Sequence, residues 1–549
     1  MSFLIVSYSF SIKSYRLLLA GLLTALVMAT LTPTASADQI NRKISGVMPT
    51  FGDAEYSLIS PDEQYAVYSA DQDADEVYEL YSVRLSGGTP IKLNGPLPTD
   101  TYVGVYQISP DSSRVVYTVE PLISGAIELY SVPIGGGTAV KLTGALSASP
   151  SYSFEISPDS SRVVYLADQD IAGVDELYSI PLAGGASTKL NSALVSGRAV
   201  QVFQISADSS RVVYSADQDA DNVIEVYSVP LAGGALPIQL NVEPVSGGDV
   251  RGFQISPDSS RVVVSGDLIT DDVIEMGSVL INGGGAVKLS GNMTPGGDVS
   301  VFQISPDSSR VIYRADQDID GVTELFSVQL AGGGRVKLNP NLGSGRGVYD
   351  SEISADSSRV VYLSDQDIDN VEEIYSAPLA GGSTAVKINT PLVIGREVLG
   401  YQLSPDSSRV VYYADQDTND RFELYSVPLL GGSVVKLNPT LVSGGTIDFS
   451  FLISPDSSQV IYRADQETDE VRELYSVPLG GGALPLKLNG PLVGGGDVAQ
   501  YSARISPSGG WVIYAADQVT DDVFELFITY DSASAPPVAP IYLPLIVRE

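Results

Sequence analysis

The sequence predicts an all-β fold, a β-propeller of about ten four-stranded blades, and three observations lead to this prediction. A block of the type Ser-Pro-Asp-Ser-Ser recurs along the chain, and its Asp returns every 48 to 50 residues. Short runs rich in Val, Tyr and Leu alternate with Pro, Gly and Asp turns, which is typical of β-strands. Four such runs fill each period, and units of this size are stable only against their neighbours. The recurring aspartates are Asp62, Asp111, Asp159, Asp208, Asp258, Asp307, Asp356, Asp406 and Asp456.

The repeat spanning Ile205 to Asn241 shows the four expected strands in order. A first strand of the Phe-Gln-Ile-Ser type ends in the Ser-Pro-Asp turn, where Pro fixes φ and Asp accepts backbone N–H groups. The second strand, Arg-Val-Val-Tyr, leads into an acidic loop. The third strand, of the Glu-Leu-Tyr-Ser-Val-Pro-Leu type, ends at a Gly-Gly turn, and the fourth is a short Val-Lys-Leu-Asn run.

The two ends of the array predict how the ring closes. A tenth, divergent copy begins at Ile505, with Ser508 in the Asp position, and supplies only three strands. Residues 40–46 resemble a fourth strand, so we expect Lys43 to Ser45 to pair beside Phe524 to Tyr530 and remove the exposed sheet edges. Ten blades exceed the usual range of about four to eight, which leaves two smaller stacked propellers as the alternative.

Three segments follow from this organisation: a signal peptide at 1–37, the propeller at 38–530, and a Pro-rich linker with a short apolar tail at 531–549. Lys13 and Arg16 precede an apolar run that ends in small residues, the pattern of a secretory signal. The run is shorter than the roughly 20 residues needed to span a bilayer, so a membrane anchor is the less favoured alternative. We therefore expect a secreted protein, periplasmic, cell-surface or extracellular, with no membrane span in the mature chain.

Composition limits the possible chemistry and partners. The chain has 31 Lys and Arg against 66 Asp and Glu, a net charge of −35, which disfavours nucleic acid and favours cations or basic partners. It has neither Cys nor His, which excludes disulfides, thiol nucleophiles and Ser-His-Asp triads. These features predict a protein that is not an enzyme but a scaffold for a protein or extracellular ligand. The alternative is a carboxylate-dependent hydrolase or lyase with its site in the propeller channel.

The first strands bear on that alternative, because we expect one of their positions to face the channel. Glutamine predominates there, and an amide binds but does not transfer protons. The residues are Gln107, Gln204, Gln254, Gln303 and Gln402, with Glu155 and Glu352 as exceptions.

The loop after the second strand is the candidate metal site. Its acids occupy positions 1, 3, 5 and 9, a spacing of oxygen ligands typical of calcium loops, and we expect weak Ca²⁺ binding that stabilises the fold. The complete sets are Asp71, Asp73, Asp75 and Glu79; Asp217, Asp219, Asp221 and Glu225; Asp316, Asp318, Asp320 and Glu324; and Asp365, Asp367, Asp369 and Glu373. The alternative is that these aspartates only cap backbone N–H groups of the turn. In its favour, the second repeat lacks the aspartates yet keeps Glu128, and the residue after the third acid is Gly in only one set.

An arginine recurs at the start of the second strand and has two interpretations. It could form a basic binding ring, or it could be structural and pair with carboxylates of the blades. The residues are Arg114, Arg162, Arg211, Arg261, Arg310, Arg359 and Arg409.

The connection between a fourth strand and the next first strand varies most among the repeats. In a four-stranded blade this connection lies on the same face as the acidic loops. Variable loops on a rigid scaffold are where recognition residues tend to lie, so we expect this face to bind the partner.

Ser-Pro-Asp, an apolar strand, an acidic turn and Glu-Leu-Tyr-Ser-Val-Pro-Leu-x-Gly-Gly together resemble the WD40-like (PD40-type) repeat of TolB and related bacterial β-propellers. The resemblance extends from about Ile40 to Tyr530. The Trp-Asp dipeptide of true WD40 repeats is absent, and Trp511 is the only tryptophan. The resemblance implies a propeller fold and a non-catalytic protein of the cell envelope or exterior.

Overall fold

The structure, a computed structural model, describes residues 39–123, 125–143, 154–220, 222–240 and 248–531. The predicted signal peptide (1–37), the tail after residue 531 and Asp221 lie outside these residues. The described chain forms ten antiparallel sheets of four strands each, the blades of a β-propeller, as the sequence predicts. No helix in these ranges has the length and apolar character needed to cross a bilayer.

Within each blade the strands pair in the order first, second, third, fourth. The first strands are Ala54–Ile59, Thr101–Ile108, Phe154–Ile156, Val200–Ile205, Val250–Ile255, Val299–Ile304, Val348–Ile353, Val398–Leu403, Ile447–Ile453 and Arg504–Ile505. The second strands are Tyr65–Ala70, Arg114–Pro121, Arg162–Ala167, Arg211–Ala216, Arg261–Gly266, Arg310–Ala315, Arg359–Ser364, Arg409–Thr418, Gln459–Ala464 and Trp511–Ala516. The third strands are Glu79–Arg84, Glu128–Pro133, Glu176–Pro181, Glu225–Pro230, Glu275–Leu280, Glu324–Gln329, Glu373–Pro378, Arg421–Pro428, Glu473–Pro478 and Glu525–Asp531. The fourth strands are Ile91–Lys92, Val140–Lys141, Thr188–Lys189, Ile238–Gln239, Val287–Lys288, Val336–Lys337, Val386–Lys387, Val435–Lys436, Leu486–Lys487 and, for blade 10, Gln39–Lys43.

The N-terminal strand completes blade 10, as the match between the chain ends predicts. Gln39–Lys43 pairs antiparallel with the last strand, and Lys43 lies opposite Phe527. The ladder begins upstream of the expected Lys43 to Ser45 segment, although the Ile44 N–H still donates to the Leu526 carbonyl over 2.8 Å. The strand also covers the edge that the third strand of blade 10 would otherwise expose.

The hydrophobic core shows that the ten blades form one ring. Ten apolar clusters each join two successive blades, and one of them packs Tyr68 of blade 1 against Ile513 of blade 10. Another packs Val263 of blade 5 against Tyr313 of blade 6. Two stacked rings of five would interrupt the core between blades 5 and 6, so the alternative of two propellers is wrong.

The Ser-Pro-Asp turns connect neighbouring blades at the face opposite the acidic loops. In blade 2, Asp111 Oδ1 accepts the Ser109 hydroxyl at 2.6 Å and the Ser113 N–H at 3.0 Å, which fixes the turn. Ser112 takes a left-handed φ of 61°, and its Oγ accepts the Asp62 N–H of blade 1 at 3.0 Å. The same bond between blades recurs as far as blade 9. The repeated motif therefore has a structural role.

The recurring arginines are also structural, but the expected carboxylate partners are wrong. Arg114 Nε donates to the Ser131 hydroxyl at 2.7 Å and its Nη2 to the Ser131 carbonyl at 3.1 Å, both in the third strand of its own blade. The bond to the serine hydroxyl recurs for the other six arginines. The serine of the Glu-Leu-Tyr-Ser motif is buried in the sheet, so the guanidinium provides a hydrogen-bond partner to polar atoms that are shielded from water.

Candidate functional site

The acidic loops and the variable connections lie on one face, the loop face, as the sequence predicts. The first aspartate of each complete acidic loop is hydrogen-bonded to the backbone of the variable connection beside it. Asp71 Oδ1 accepts the N–H of Asp53, which precedes the first strand, and Asp71 Oδ2 accepts the N–H of Glu76 at 3.0 Å. Equivalent bonds to the preceding connection are made by Asp217, Asp316 and Asp365. Position 1 therefore caps backbone N–H groups.

Positions 3 and 9 meet at a lysine that the sequence interpretation did not include. In blade 1, Lys92 of the fourth strand lies 2.6 Å from Asp73 and 2.6 Å from Glu79. Lys337 joins Asp318 and Glu324, and Lys387 joins Asp367 and Glu373, in the same way. In blade 4, Gln239 replaces the lysine and donates to Glu225 at 2.5 Å. In three of the four complete loops, a lysine ammonium group thus supplies positive charge to the carboxylates that were expected to bind calcium.

Position 5 does not join the other acids. Asp75, Asp320 and Asp369 precede a residue of left-handed φ, which is 61° at Glu76, 74° at Gly321 and 57° at Asn370. No group of three or more Asp or Glu side chains placed to hold a metal ion occurs in the described ranges. The four acids of a loop therefore do not converge on one point there, and calcium binding stays a prediction.

The first-strand glutamines link neighbouring blades. Gln204 Oε1 accepts the Ile255 N–H at 3.1 Å, and Gln254 Oε1 accepts the Ile304 N–H at 3.1 Å. In blade 2, Gln107 Nε2 instead donates to the Phe154 carbonyl at 3.2 Å. Side chains of one first strand thus reach the backbone of the next, as expected where the blades converge on the ring axis.

Glu155 and Glu352 replace glutamine at the same first-strand position in blades 3 and 7. Glu155 Oε2 accepts the Ile205 N–H at 3.2 Å, and Glu352 is bonded to the Leu403 N–H. Burial raises the pKa of Glu155, and burial assisted by the charge of Asp350 raises the pKa of Glu352 to about 7. Glu352 is therefore a group near the axis that can exchange a proton close to neutral pH.

A second feature of the loop face is a pocket between blades 1 and 2, here called the tyrosine pocket. It encloses about 520 Å³. Its lining includes Glu55, Tyr56, Tyr78, Tyr102, Tyr106 and Glu120. Sequence reasoning missed this pocket, because four of the six residues lie outside the repeated motif, and Tyr106 and Glu120, which occupy positions of the repeat, gave no sign of a shared site.

Contacts among these residues show how the pocket is built. Glu120 replaces the first aspartate of the blade 2 loop and accepts the Tyr102 hydroxyl at 3.1 Å and the Thr118 hydroxyl at 2.8 Å. A Cβ at Gly104 would lie 2.0 Å from Glu120 Oε1, so only glycine leaves room for this carboxylate. Tyr56 and Tyr106 pack edge to face with ring centres 5.5 Å apart.

The pocket is electrostatically suited to a cation. Burial and the negative charges of Glu55 and Asp71 raise the pKa of Tyr78, which therefore stays a neutral phenol. Arg504 of blade 10 lies 5.0 Å above the Tyr56 ring, so one aromatic face already holds a cation. Aromatic faces beside carboxylates attract ammonium and guanidinium groups.

Comparisons with known proteins show likeness to solved structures. No family model and no curated protein matches the chain. A eukaryotic initiation factor is 12% identical with a TM-score of 0.47, covering 72% of this chain and 90% of that one. Porphyromonas gingivalis dipeptidyl peptidase 4 is 8% identical with a TM-score of 0.48, covering 74% and 64%. A putative TolB from Agrobacterium tumefaciens is 16% identical with a TM-score of 0.27, covering 52% and 79%. Likenesses this low carry no information on activity, ligands or partners.

Proposed function

We propose that the protein is a secreted, non-catalytic scaffold whose acidic loop face captures a partner that presents a cationic group, such as a lysine-rich protein segment. The tyrosine pocket carries this proposal, because it combines a cavity of about 520 Å³ with aromatic faces and two carboxylates. A net charge of −35 would steer basic partners toward the ring. The resemblance of the repeats to TolB-type propellers agrees with a binding role in the envelope or outside the cell.

The pocket would contribute specificity, and the wider acidic face would contribute association rate. An ammonium group entering the pocket would meet Glu55 and the Tyr78 ring at the loop face, with Glu120 deeper, at 4% exposure. Cation–π contacts of this kind contribute about 0.5 to 2 kcal/mol each, which is a few-fold to about thirtyfold in affinity.

A labelled lysine decapeptide tests the binding proposal. The double variant Glu55→Gln/Tyr78→Leu, which removes a carboxylate and an aromatic face, should bind it at least several-fold more weakly than the unaltered protein. The matched control is Asp271→Asn, which removes one negative charge from an exposed loop of the same face in blade 5 and should leave the affinity nearly unchanged. Equal affinity of the double variant and this control at 150 mM salt, where bulk charge is largely screened, would contradict the proposal.

Secretion has its own test. Expression of the full chain in a bacterial host should yield a mature protein beginning at Asp38 outside the cytoplasm, measured by intact mass and N-terminal sequencing. Removal of Lys13 and Arg16 with the signal would take the net charge from −35 to −37. A full-length chain retained in the cytoplasm would contradict this part of the proposal.

The carboxylate-dependent hydrolase or lyase is kept as a second candidate, because the pKa of Glu352 is about 7. A general acid or base works best when its pKa lies near the working pH. Glu352→Gln would abolish any such activity and leave decapeptide binding unchanged, so the two functions can be separated in one variant.

A further inference from the structure

Blade 5 departs from the other blades at one buried place. In nine blades, an aromatic residue of the second strand stacks on an aromatic residue of the third, with ring centres 5.2 to 5.9 Å apart. In blade 5 the paired positions are Val264 and Gly277. Both rings are therefore missing from a site where every other blade has two.

The polar loop residues found beside these rings in most other blades are missing from blade 5 as well. In seven other blades the second-strand tyrosine donates its hydroxyl to a loop glutamine four residues later, as Tyr362 does to Gln366 at 3.0 Å. Blade 5 has Leu268 at that loop position, and Ile269 where seven other blades have an aspartate or a glutamate. Four polar or aromatic positions have thus become apolar or empty together, around one point.

A cavity of about 260 Å³ occupies this point, between blade 5 and the fourth strand of blade 4. Its apolar lining includes Leu240, Val264, Leu268 and Val287, and Gly277 contributes only backbone. In another protein, an apolar cavity of about 150 Å³ binds benzene, so this one is large enough for a substituted aromatic ring.

Glycine at position 277 is not required by the backbone. Its φ is not among the left-handed values, and a Cβ there would meet the Val287 carbonyl oxygen at 3.3 Å and Leu268 Cδ1 at 3.9 Å. A larger residue would need only a small adjustment of these neighbours. The effect of Gly277 is therefore to leave open a space that a side chain would otherwise fill.

One end of the cavity is polar. Glu275 is buried, with its side chain 3% exposed, and its Oε1 lies 2.5 Å from Lys288 Nζ. Glu275 Oε2 accepts the N–H groups of Ile269 and Thr270 at 3.0 and 3.2 Å. In blade 7 the equivalent glutamate, Glu373, accepts a tyrosine hydroxyl at 3.3 Å. The polar end of the cavity thus keeps the glutamate that accepts a tyrosine hydroxyl in other blades.

We infer that blade 5 contains a binding site for a small planar aromatic molecule bearing a hydroxyl, of the phenol class. The ring would lie between Val264 and Leu268 in the space of the missing tyrosines, and its hydroxyl would donate to Glu275 beside Lys288. The site is separate from the tyrosine pocket, and this inference does not depend on the proposed function.

Phenol itself is the probe, used with the full chain, and binding is followed by calorimetry and by the change in melting temperature. Saturable binding with one site per chain is expected, and cyclohexanol should bind at least several-fold more weakly. Val264→Tyr/Gly277→Tyr restores the pair found in the other blades and should weaken phenol binding at least tenfold. Val264→Phe, which fills the cavity with one ring, gives the same test if the double variant does not fold.

The matched control is Tyr362→Phe, which alters the same position in blade 7 but keeps its aromatic pair; it should leave phenol binding unchanged. The inference is overturned if phenol binding does not saturate, or if Val264→Phe binds phenol as tightly as the unaltered protein. Tighter binding of benzene than of phenol would overturn the role of Glu275.

Discussion

Replacing Glu352 by Gln should stabilise the protein, and the gain should depend on pH. Gln303 occupies the equivalent position in blade 6, where its Oε1 accepts the Ile353 N–H at 3.2 Å. A glutamine at 352 can accept the Leu403 N–H in the same way, without the charge. The substitution therefore keeps the hydrogen bond and removes only the ionisation.

The sign and size follow from the pKa of Glu352, which burial raises from 4.5 to about 7. The unfolded chain releases this proton near pH 4.5, whereas the folded protein holds it until about pH 7, so stability falls as pH rises through this window. At 1.36 kcal/mol per pKa unit the difference amounts to about 3.4 kcal/mol. Glu352 is partly exposed, and solvent screening reduces this to about 1 to 2 kcal/mol.

Urea unfolding of both proteins at pH 4 and pH 8 measures the effect. The variant should be about 1 to 2 kcal/mol more stable at pH 8 and nearly equal at pH 4, where Glu352 is neutral in both states. Taking the difference between the two proteins cancels the titration of the other acidic residues. Gln303→Glu is the reciprocal control and should lose stability only at pH 8. A stability difference that is the same at both pH values would refute the reasoning.

Three further predictions concern the repeated architecture. Deleting Gln39–Lys43 should lower the melting temperature, because it exposes a strand edge of blade 10; an unchanged temperature would contradict closure by this strand. Lys387→Met should cost about 2 to 3 kcal/mol in urea unfolding, because the Glu373 side chain is 0% exposed, whereas Lys141→Met, beside a Glu128 that is 29% exposed, should cost under about 1. Millimolar calcium should raise the melting temperature more than magnesium at matched ionic strength if the acidic loops bind it as predicted; an equal effect of the two ions would favour the alternative, in which lysine and backbone N–H groups alone hold the loop carboxylates.

The strands and their order could be predicted because turn residues and period are local features of the sequence. The Ser-Pro-Asp turn ends each first strand, and Gly-Gly separates the third from the fourth, so the boundaries follow from residues that adopt few conformations. Ring closure was predictable for the same reason, since residues 40–46 carry a fourth-strand pattern. The pairing register of this closing strand could not be predicted as well, because the fourth strands of the other blades have only two residues with which its sequence can be aligned.

The partners of repeated charges could not be predicted from spacing along the chain. Lys92 lies 13 residues after Glu79, and only the register of the hairpin, with Tyr81 opposite Lys92, brings the two together. Asp73 then shares the same ammonium, so a spacing typical of calcium ligands is used for an internal ion pair. The partner of the recurring arginine could not be predicted for the same reason, because Ser131, which accepts from Arg114, lies in the neighbouring third strand.

Repetition itself limits what the shared residues can recognise. A ligand held by residues present in every blade would bind up to ten times per ring, whereas a ligand held by residues of one blade binds once. The tyrosine pocket requires Gly104 and Glu120, and the blade 5 cavity requires Val264 and Gly277, all of which depart from the repeat. The stoichiometry of any ligand therefore identifies its type of site: a value near one indicates such a departure, and a multiple value indicates the acidic loops. In this propeller the shared residues build the ring, and the specific sites are to be sought where a blade differs from the others.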